Sequence, residues 1–243
     1  MLFFTRSLAF ILFICFITLT FKSYSGNKLY YFLWLFGLIT ISAPSILPIY
    51  INRRHEAAIN GDITTIKKYL KQGVDINIKD TEGANFLYHA AISRNQKLVE
   101  FLLEKGIDVN AKNKEGISPM YGAVISGKSK IVRLLIQYGA DIHAKTLKGH
   151  TTLHWAASHG HQDIIKLLLE QGVDINAKAN NKATPLHSAS NSWIEREEVV
   201  LYLLQYGAEV NARMLNGKTS LTLALEKGYQ NVAKVLKNYG GLE

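Results

Sequence analysis

Apolar and polar positions divide the chain into two parts of different character. Two uncharged apolar runs come first, one from Ser7 to Phe21 and one from Leu29 to Ile51. Neither run has a polar face, which is typical of segments buried in lipid rather than of amphipathic helices. A bilayer core of about 30 Å needs about 20 helical residues, so the second run is long enough to span it. We predict membrane spans over residues 7–25 and 29–51.

The first run leaves two alternatives open. It follows Arg6 and precedes small residues at the spacing of a cleavage site, a pattern that also fits a secretory signal peptide. Lys22 and Lys28 flank the second run on its near side, and Arg53 and Arg54 begin a more basic flank on its far side. Because the more basic flank stays in the cytoplasm, both a two-span hairpin and a single span after a cleaved signal predict that the C-terminal part is cytoplasmic.

From residue 52 onward the pattern repeats. Several units contain a small-residue pair such as Ala156-Ala157, followed by an apolar stripe such as residues 164–169, which predicts two helices per unit. Glycine follows each stripe at spacings of 33, 33, 33, 35 and 33 residues, at Gly73, Gly106, Gly139, Gly172, Gly207 and Gly240. A second set of positions has the same 33-residue period and the same single step of 35 residues: Gly83, Gly116, Gly149, Lys182 and Gly217.

The residues that begin at the second set of positions form a recurring motif. It reads GANFLYHAA, GISPMYGAV, GHTTLHWAA, KATPLHSAS and GKTSLTLAL, and the segment from Thr184 to Ser190 resembles the ankyrin repeat, which has a 33-residue period and the string T-P-L-H-x-A. The resemblance implies an all-α solenoid of helix pairs with hairpin arms, here preceded by one or two transmembrane helices. The predicted domains are a membrane region, 1–51, and an array, 52–243, with units at 52–79, 80–112, 113–145, 146–178, 179–213 and 214–243.

Single positions support or disturb this pattern. Ser118, Thr151 and Thr184 are predicted N-caps of the first helices, since their side chains can accept backbone N–H groups there. Residues 85–86 and 120–121 depart from the favoured string, and residues 191–198 contain a two-residue insertion. The sequence leaves the local geometry at these places open.

Composition and chemistry exclude several classes of function. Cys15 is the single cysteine, which excludes a disulfide framework and a cysteine-rich zinc site. His154, His159 and His161 lie close together, but the repeat accounts for His154 and His161, and one remaining histidine does not make a metal site. The chain has no nucleophile, metalloprotease or phosphate-loop motif. We therefore expect no enzyme, no metal and no cofactor.

Charge bears on the partner. The net charge is +9, of which three charges belong to the membrane region, and a basic residue recurs once per arm at Lys79, Lys112, Lys145, Lys178 and Arg213. These basic residues form either a solubilising surface or a stripe that binds an acidic partner. The first alternative is favoured, because the resemblance implies that this position of the repeat is commonly basic. A nucleic-acid partner is not expected of a membrane-tethered array.

The resemblance also implies the role and the site. Ankyrin arrays generally bind proteins without catalysis, in a groove formed by the arms and the first helices. Matched residue by residue, the partner-binding candidates are Lys112, Lys114, Lys145, Leu147, Lys148, His150, His159, Lys178, Asn180, Asn181, Arg213, Met214 and Leu215. Leu147, Met214 and Leu215 are the best anchor candidates, because they are apolar on arms that we expect to be exposed.

Two functions follow. The first is a membrane-anchored adaptor that displays a monomeric ankyrin array to a cytosolic protein. The alternative is an accessory subunit of a larger membrane assembly, such as a channel, transporter or enzyme complex. The chain is rich in Lys, Ile and Asn, which resembles ankyrin proteins of intracellular bacteria, and a partner in that setting would be a host protein.

Overall fold

The computed structural model describes residues 54–243, and the two predicted spans lie outside them. The described residues form twelve helices in six consecutive pairs, and each predicted unit contains one pair. Helix α1 covers residues 54–59. The others are α2 (Ile63–Lys71), α3 (Phe86–Ile92), α4 (Gln96–Glu104), α5 (Pro119–Ser126), α6 (Ser129–Gln137), α7 (Thr152–His159), α8 (Gln162–Glu170), α9 (Pro185–Ser190), α10 (Glu197–Gln205), α11 (Ser220–Lys227) and α12 (Gln230–Asn238).

The first helices begin where the sequence predicts. Ser118, Thr151 and Thr184 occupy the N-cap positions of α5, α7 and α9, as expected, but the Ser118 side chain accepts no backbone N–H group of its helix. The departure at residues 85–86 does not prevent a helix, because the Asn85 side chain accepts the Tyr88 N–H at 3.0 Å. Asparagine is as good an N-cap as serine or threonine, so the altered string keeps the function of the cap.

A short turn joins the two helices of most units. After α5, α7 and α11 this turn contains a glycine in the left-handed region, with φ between 70° and 78°. In the fifth unit α9 has only six residues and is followed by Asn191 instead of glycine. The two inserted residues are accommodated in a longer loop, residues 191–196, and the helix pair is retained. We call this segment the insertion loop.

One continuous apolar cluster runs through the stack. The second helices supply large, fully buried side chains, among them Leu98, Leu135, Leu168, Leu203 and Leu236. The first helices contribute small residues that let neighbouring units approach closely. Gly122 shows how closely, because a Cβ atom at this position would lie 3.0 Å from the Tyr88 carbonyl oxygen. Each unit buries its apolar stripe against its neighbours, so stability depends on the stack.

Arms connect successive units. In residues 54–243 no strand forms, and the only β-type pairing is an isolated bridge between Lys79 and Asn85. Each arm is closed by a backbone hydrogen bond of 2.8 to 3.0 Å between residues four positions apart, as between the Ala179 N–H and Ala183 O at 2.9 Å. The arms are therefore hairpin-like turns, as the resemblance implies. None of the helices in the described part of the chain combines the length and apolarity needed to cross a bilayer.

Candidate functional site

The tips of the arms are joined into one strip by backbone hydrogen bonds. The strip consists of the residue pairs 81–82, 114–115, 147–148, 180–181 and 215–216, and we call it the tip strip. In each step the first residue of a pair donates its N–H to the carbonyl of the second residue of the preceding pair. The four bonds are Lys114 to Glu82 (2.9 Å), Leu147 to Glu115 (2.9 Å), Asn180 to Lys148 (3.0 Å) and Leu215 to Asn181 (2.9 Å). The strip thus holds its side chains in a fixed order along the array.

Asparagine side chains join the arms at their bases. The Asn110 side-chain nitrogen donates to Gly139 O at 3.0 Å, and its oxygen accepts the Asp141 N–H at 2.8 Å. Asn176 and Asn211 make the same two bonds to the next arm or to the C-terminal residues. In the third unit His143 occupies the equivalent position, and its side chain shows no such bond within the described residues. This pair of bonds, the asparagine clamp, ties each arm that has it to the following segment.

A third set of contacts joins the first helices to the arms that follow. His154 Nε2 lies 2.9 Å from Ala183 O, and His187 Nε2 lies 3.3 Å from Lys218 O. Tyr121 occupies the same position in the third unit, and its hydroxyl lies 2.8 Å from Ala144 O and 2.7 Å from His150 O. The departure at residues 120–121 therefore preserves the link between units with a different side chain.

These contacts explain the state of the buried histidines. The carbonyl at Nε2 of His154 can only accept, so Nε2 carries the proton, and Nδ1 accepts from the Thr151 hydroxyl at 2.8 Å and the Thr151 N–H at 3.2 Å. Burial lowers the pKa of His154 to about 4. Burial also lowers the pKa values of His161 and His187. No cluster of potential metal ligands occurs in residues 54–243.

Most of the predicted partner-binding residues lie at the surface. Leu147 and Leu215 are 71% and 66% exposed and belong to the tip strip. Met214 differs from the prediction, because it is half-buried and its backbone N–H closes the last arm on Lys218 O at 3.0 Å. His150 and His159 are half-buried, and the remaining candidates are exposed: Lys112, Lys114, Lys145, Lys148, Lys178, Asn180, Asn181 and Arg213. Their role in binding stays a prediction.

The recurring basic residues of the arms have structural contacts of their own. Lys79 Nζ lies 3.2 Å from Lys112 O, and Lys145 Nζ lies 3.3 Å from Lys178 O, so each of these two lysines reaches the next arm. Arg213 donates to Gly217 O at 2.7 Å and to Glu243 O at 2.8 Å. The acceptors of Lys79 and Lys145 are neutral carbonyl groups, so these bonds reduce the freedom of the two lysine side chains and leave their positive charges uncompensated.

Aromatic side chains line the first helices beside the arms. Trp155 packs edge-on against Tyr121 at 6.3 Å between ring centroids and stacks with His159 at 5.9 Å. The His159 ring also contacts the Trp155 carbonyl, with Nδ1 at 2.9 Å. Trp155 thus acts as a packing residue, and its indole N–H is buried without a hydrogen-bond partner among the described residues.

The insertion loop displays an apolar surface that the sequence reasoning missed. Trp193 is 92% exposed and Ile194 is 55% exposed. The loop is nevertheless held in place by one backbone and one side-chain contact: Tyr229 donates its hydroxyl proton to Ser192 O at 2.9 Å, and the Glu195 carboxylate accepts the Val232 N–H at 3.0 Å. The signs of this loop in the sequence are the missing glycine after α9 and the two-residue insertion.

Comparison with known proteins agrees with the repeat geometry. The family model for ankyrin repeats, described as three copies, matches residues 55–146 and 138–214, which is more than half of the chain. Among curated proteins no match is found. The matched range contains the first five helix pairs, and the sixth pair continues the same arrangement. The chain therefore belongs to the ankyrin-repeat family.

Proposed function

We propose that this protein is a membrane-anchored protein–protein interaction module, which presents its array to a cytosolic partner and performs no catalysis. Ankyrin repeats in general suggest the interaction role. The observation that carries the role for this chain is the tip strip, where exposed and chemically varied side chains stand on a backbone held by hydrogen bonds. A surface that is ordered before binding loses less conformational entropy when a partner docks.

The membrane anchor and its orientation are proposed from the sequence. The uncharged run from Leu29 to Ile51 is long enough to span a bilayer, and the basic residues that follow it favour the cytoplasmic side for the array. A protease added to intact cells should leave a tag placed after Glu243 intact. Digestion of the tag while cytoplasmic markers survive would contradict this orientation.

The binding role is tested by co-purification of the full-length chain from its source cells in mild detergent. We expect a protein partner that is recovered with the wild type and lost with the double variant Leu147→Ser/Leu215→Ser. The matched control is Tyr138→Ser/Tyr206→Ser, because both tyrosines are exposed but lie at the ends of second helices. The proposal fails if the wild type recovers nothing specific, or if both double variants lose the partner equally. A polytopic membrane protein as the partner would favour the accessory-subunit alternative.

A further inference from the structure

We propose that the tips of the last three arms bind an acidic segment of a partner protein that also carries apolar side chains. This inference rests on the proposed function, since it specifies the chemistry of the partner for the same surface. The surface consists of the arm segments 143–150, 176–183 and 210–219. Charge, backbone conformation and exposed apolar residues each contribute to the argument.

The charge of the arms is unevenly distributed. The earlier arms mix both signs, and Lys114 Nζ lies 3.9 Å from the Glu82 carboxylate across two tips. The last three arm segments contain no aspartate or glutamate. Their basic residues are Lys145, Lys148, Lys178, Lys182, Arg213 and Lys218. A surface with an excess of basic residues attracts a negatively charged partner and repels a positive one.

Some of these charges have acidic neighbours from outside the arm tips. Lys218 Nζ lies 2.7 Å from the Glu226 carboxylate, and Lys178 Nζ lies 4.0 Å from the Glu209 carboxylate. Lys148 and Lys182 are exposed, and the structure shows neither an ion pair nor a hydrogen bond for their ammonium groups within residues 54–243. These two lysines are therefore available to carboxylates of a partner.

The backbone at Lys182 supports a role for its side chain. The equivalent position in the other arms is glycine, at Gly83, Gly116, Gly149 and Gly217, with φ between 75° and 84°. Lys182 adopts the same left-handed conformation with φ of 59°. A residue with a Cβ atom is disfavoured there, so the chain keeps a cation at a position where geometry favours glycine.

Two exposed leucines give the same surface an apolar component. Leu147 and Leu215 belong to the tip strip on either side of Asn180-Asn181. Exposed leucines fixed on an ordered backbone are suited to fill apolar contacts of a protein segment. Phosphate groups of a nucleic acid would leave them unused. Two separated leucines also offer little area for insertion into a bilayer, which favours an acidic protein segment over an anionic lipid surface.

The partner is unidentified, so the probe is a random-peptide display library selected on the full-length chain in mild detergent. We expect the enriched peptides to be rich in Asp and Glu and to contain Leu or other apolar residues. Selection on Lys148→Glu/Lys182→Glu should no longer enrich acidic peptides. The control is Lys97→Glu/Lys130→Glu, which changes the charge equally at exposed positions on second helices and should enrich the same peptides as the wild type.

Binding of one selected peptide then gives a quantitative test. The charge-reversal variant at 148 and 182 should weaken binding by about tenfold or more, the control variant should not, and added salt should weaken wild-type binding. Enrichment of neutral or basic peptides, or equal affinity in both variants, would overturn the inference and leave the proposed function standing. No enrichment on any variant would count against both. The inference would also be overturned if the library shows no acidic preference and micelles containing phosphatidylserine displace the peptide. That result would assign the surface to lipid.

Discussion

Replacing Tyr121 with phenylalanine removes one buried hydroxyl from the array. The side chain is fully buried, and its hydroxyl lies 2.8 Å from Ala144 O and 2.7 Å from His150 O. His150 O keeps another donor, the Thr146 N–H at 3.0 Å, whereas the structure shows no other donor to Ala144 O in the described residues. The hydroxyl has one proton, so the variant loses about one hydrogen bond and leaves one buried acceptor unpaired, which costs about 1–2 kcal/mol.

Hydrogen exchange of the full-length chain measures this effect locally. The hydroxyl links α5 to the following arm, so amide protection in the third and fourth units should fall about 5- to 30-fold, which corresponds to about 1–2 kcal/mol. Tyr138→Phe is the control, because it also removes a tyrosine hydroxyl, but at an exposed position in the same unit. Equal exchange in the two variants, or a loss spread evenly over all units, would show that Tyr121 does not link neighbouring units as the distances indicate.

Three further predictions concern the stack, the arms and pH. Leu168→Ala should lower the free energy of unfolding by about 2–5 kcal/mol, and hydrogen exchange should rise first in the adjacent units. Leu215→Ala, at an exposed position, should cost little, and equal costs would contradict the assignment of Leu168 to the core. His143→Asn should complete the missing asparagine clamp and raise stability by about 0.5–1.5 kcal/mol in urea unfolding, and a loss would refute this. The folded array keeps His154 neutral with its pKa lowered to about 4, while the unfolded chain protonates it below its ordinary pKa of 6.5. Stability should therefore fall as pH drops from 6.5 to about 4, and His154→Gln should flatten this slope in unfolding titrations; an unchanged slope would count against His154 as its source.

The repeat made much of the fold predictable from sequence. Ser118, Thr151 and Thr184 occupy the predicted cap positions because an N-cap depends on a few neighbouring residues. Glycine spacing likewise indicated the arms, since each arm follows a left-handed turn. Tyr121 departs from the string, and the local sequence does not reveal its role because both of its carbonyl partners belong to the following arm.

The candidate surface was less predictable than the fold. The sequence indicated correctly that Leu147 and Leu215 stand at exposed tips, but it treated Met214 in the same way. Met214 precedes the tip and closes its arm, which leaves it half-buried. Trp193 lies in the insertion loop, and because the other units have no equivalent residue, the repeat pattern does not predict its exposure.

The insertion loop has a consequence for the exchange of units between arrays. In a regular repeat protein one unit can be replaced by a consensus copy, because neighbouring interfaces are alike. Here Tyr229 and the Val232 N–H of the sixth unit bond to Ser192 and Glu195 of the fifth. A sixth unit copied from another unit of this chain would lack the tyrosine, and a fifth unit copied in the same way would lack the loop. The last two units of this protein therefore have to be transplanted, shortened or redesigned together.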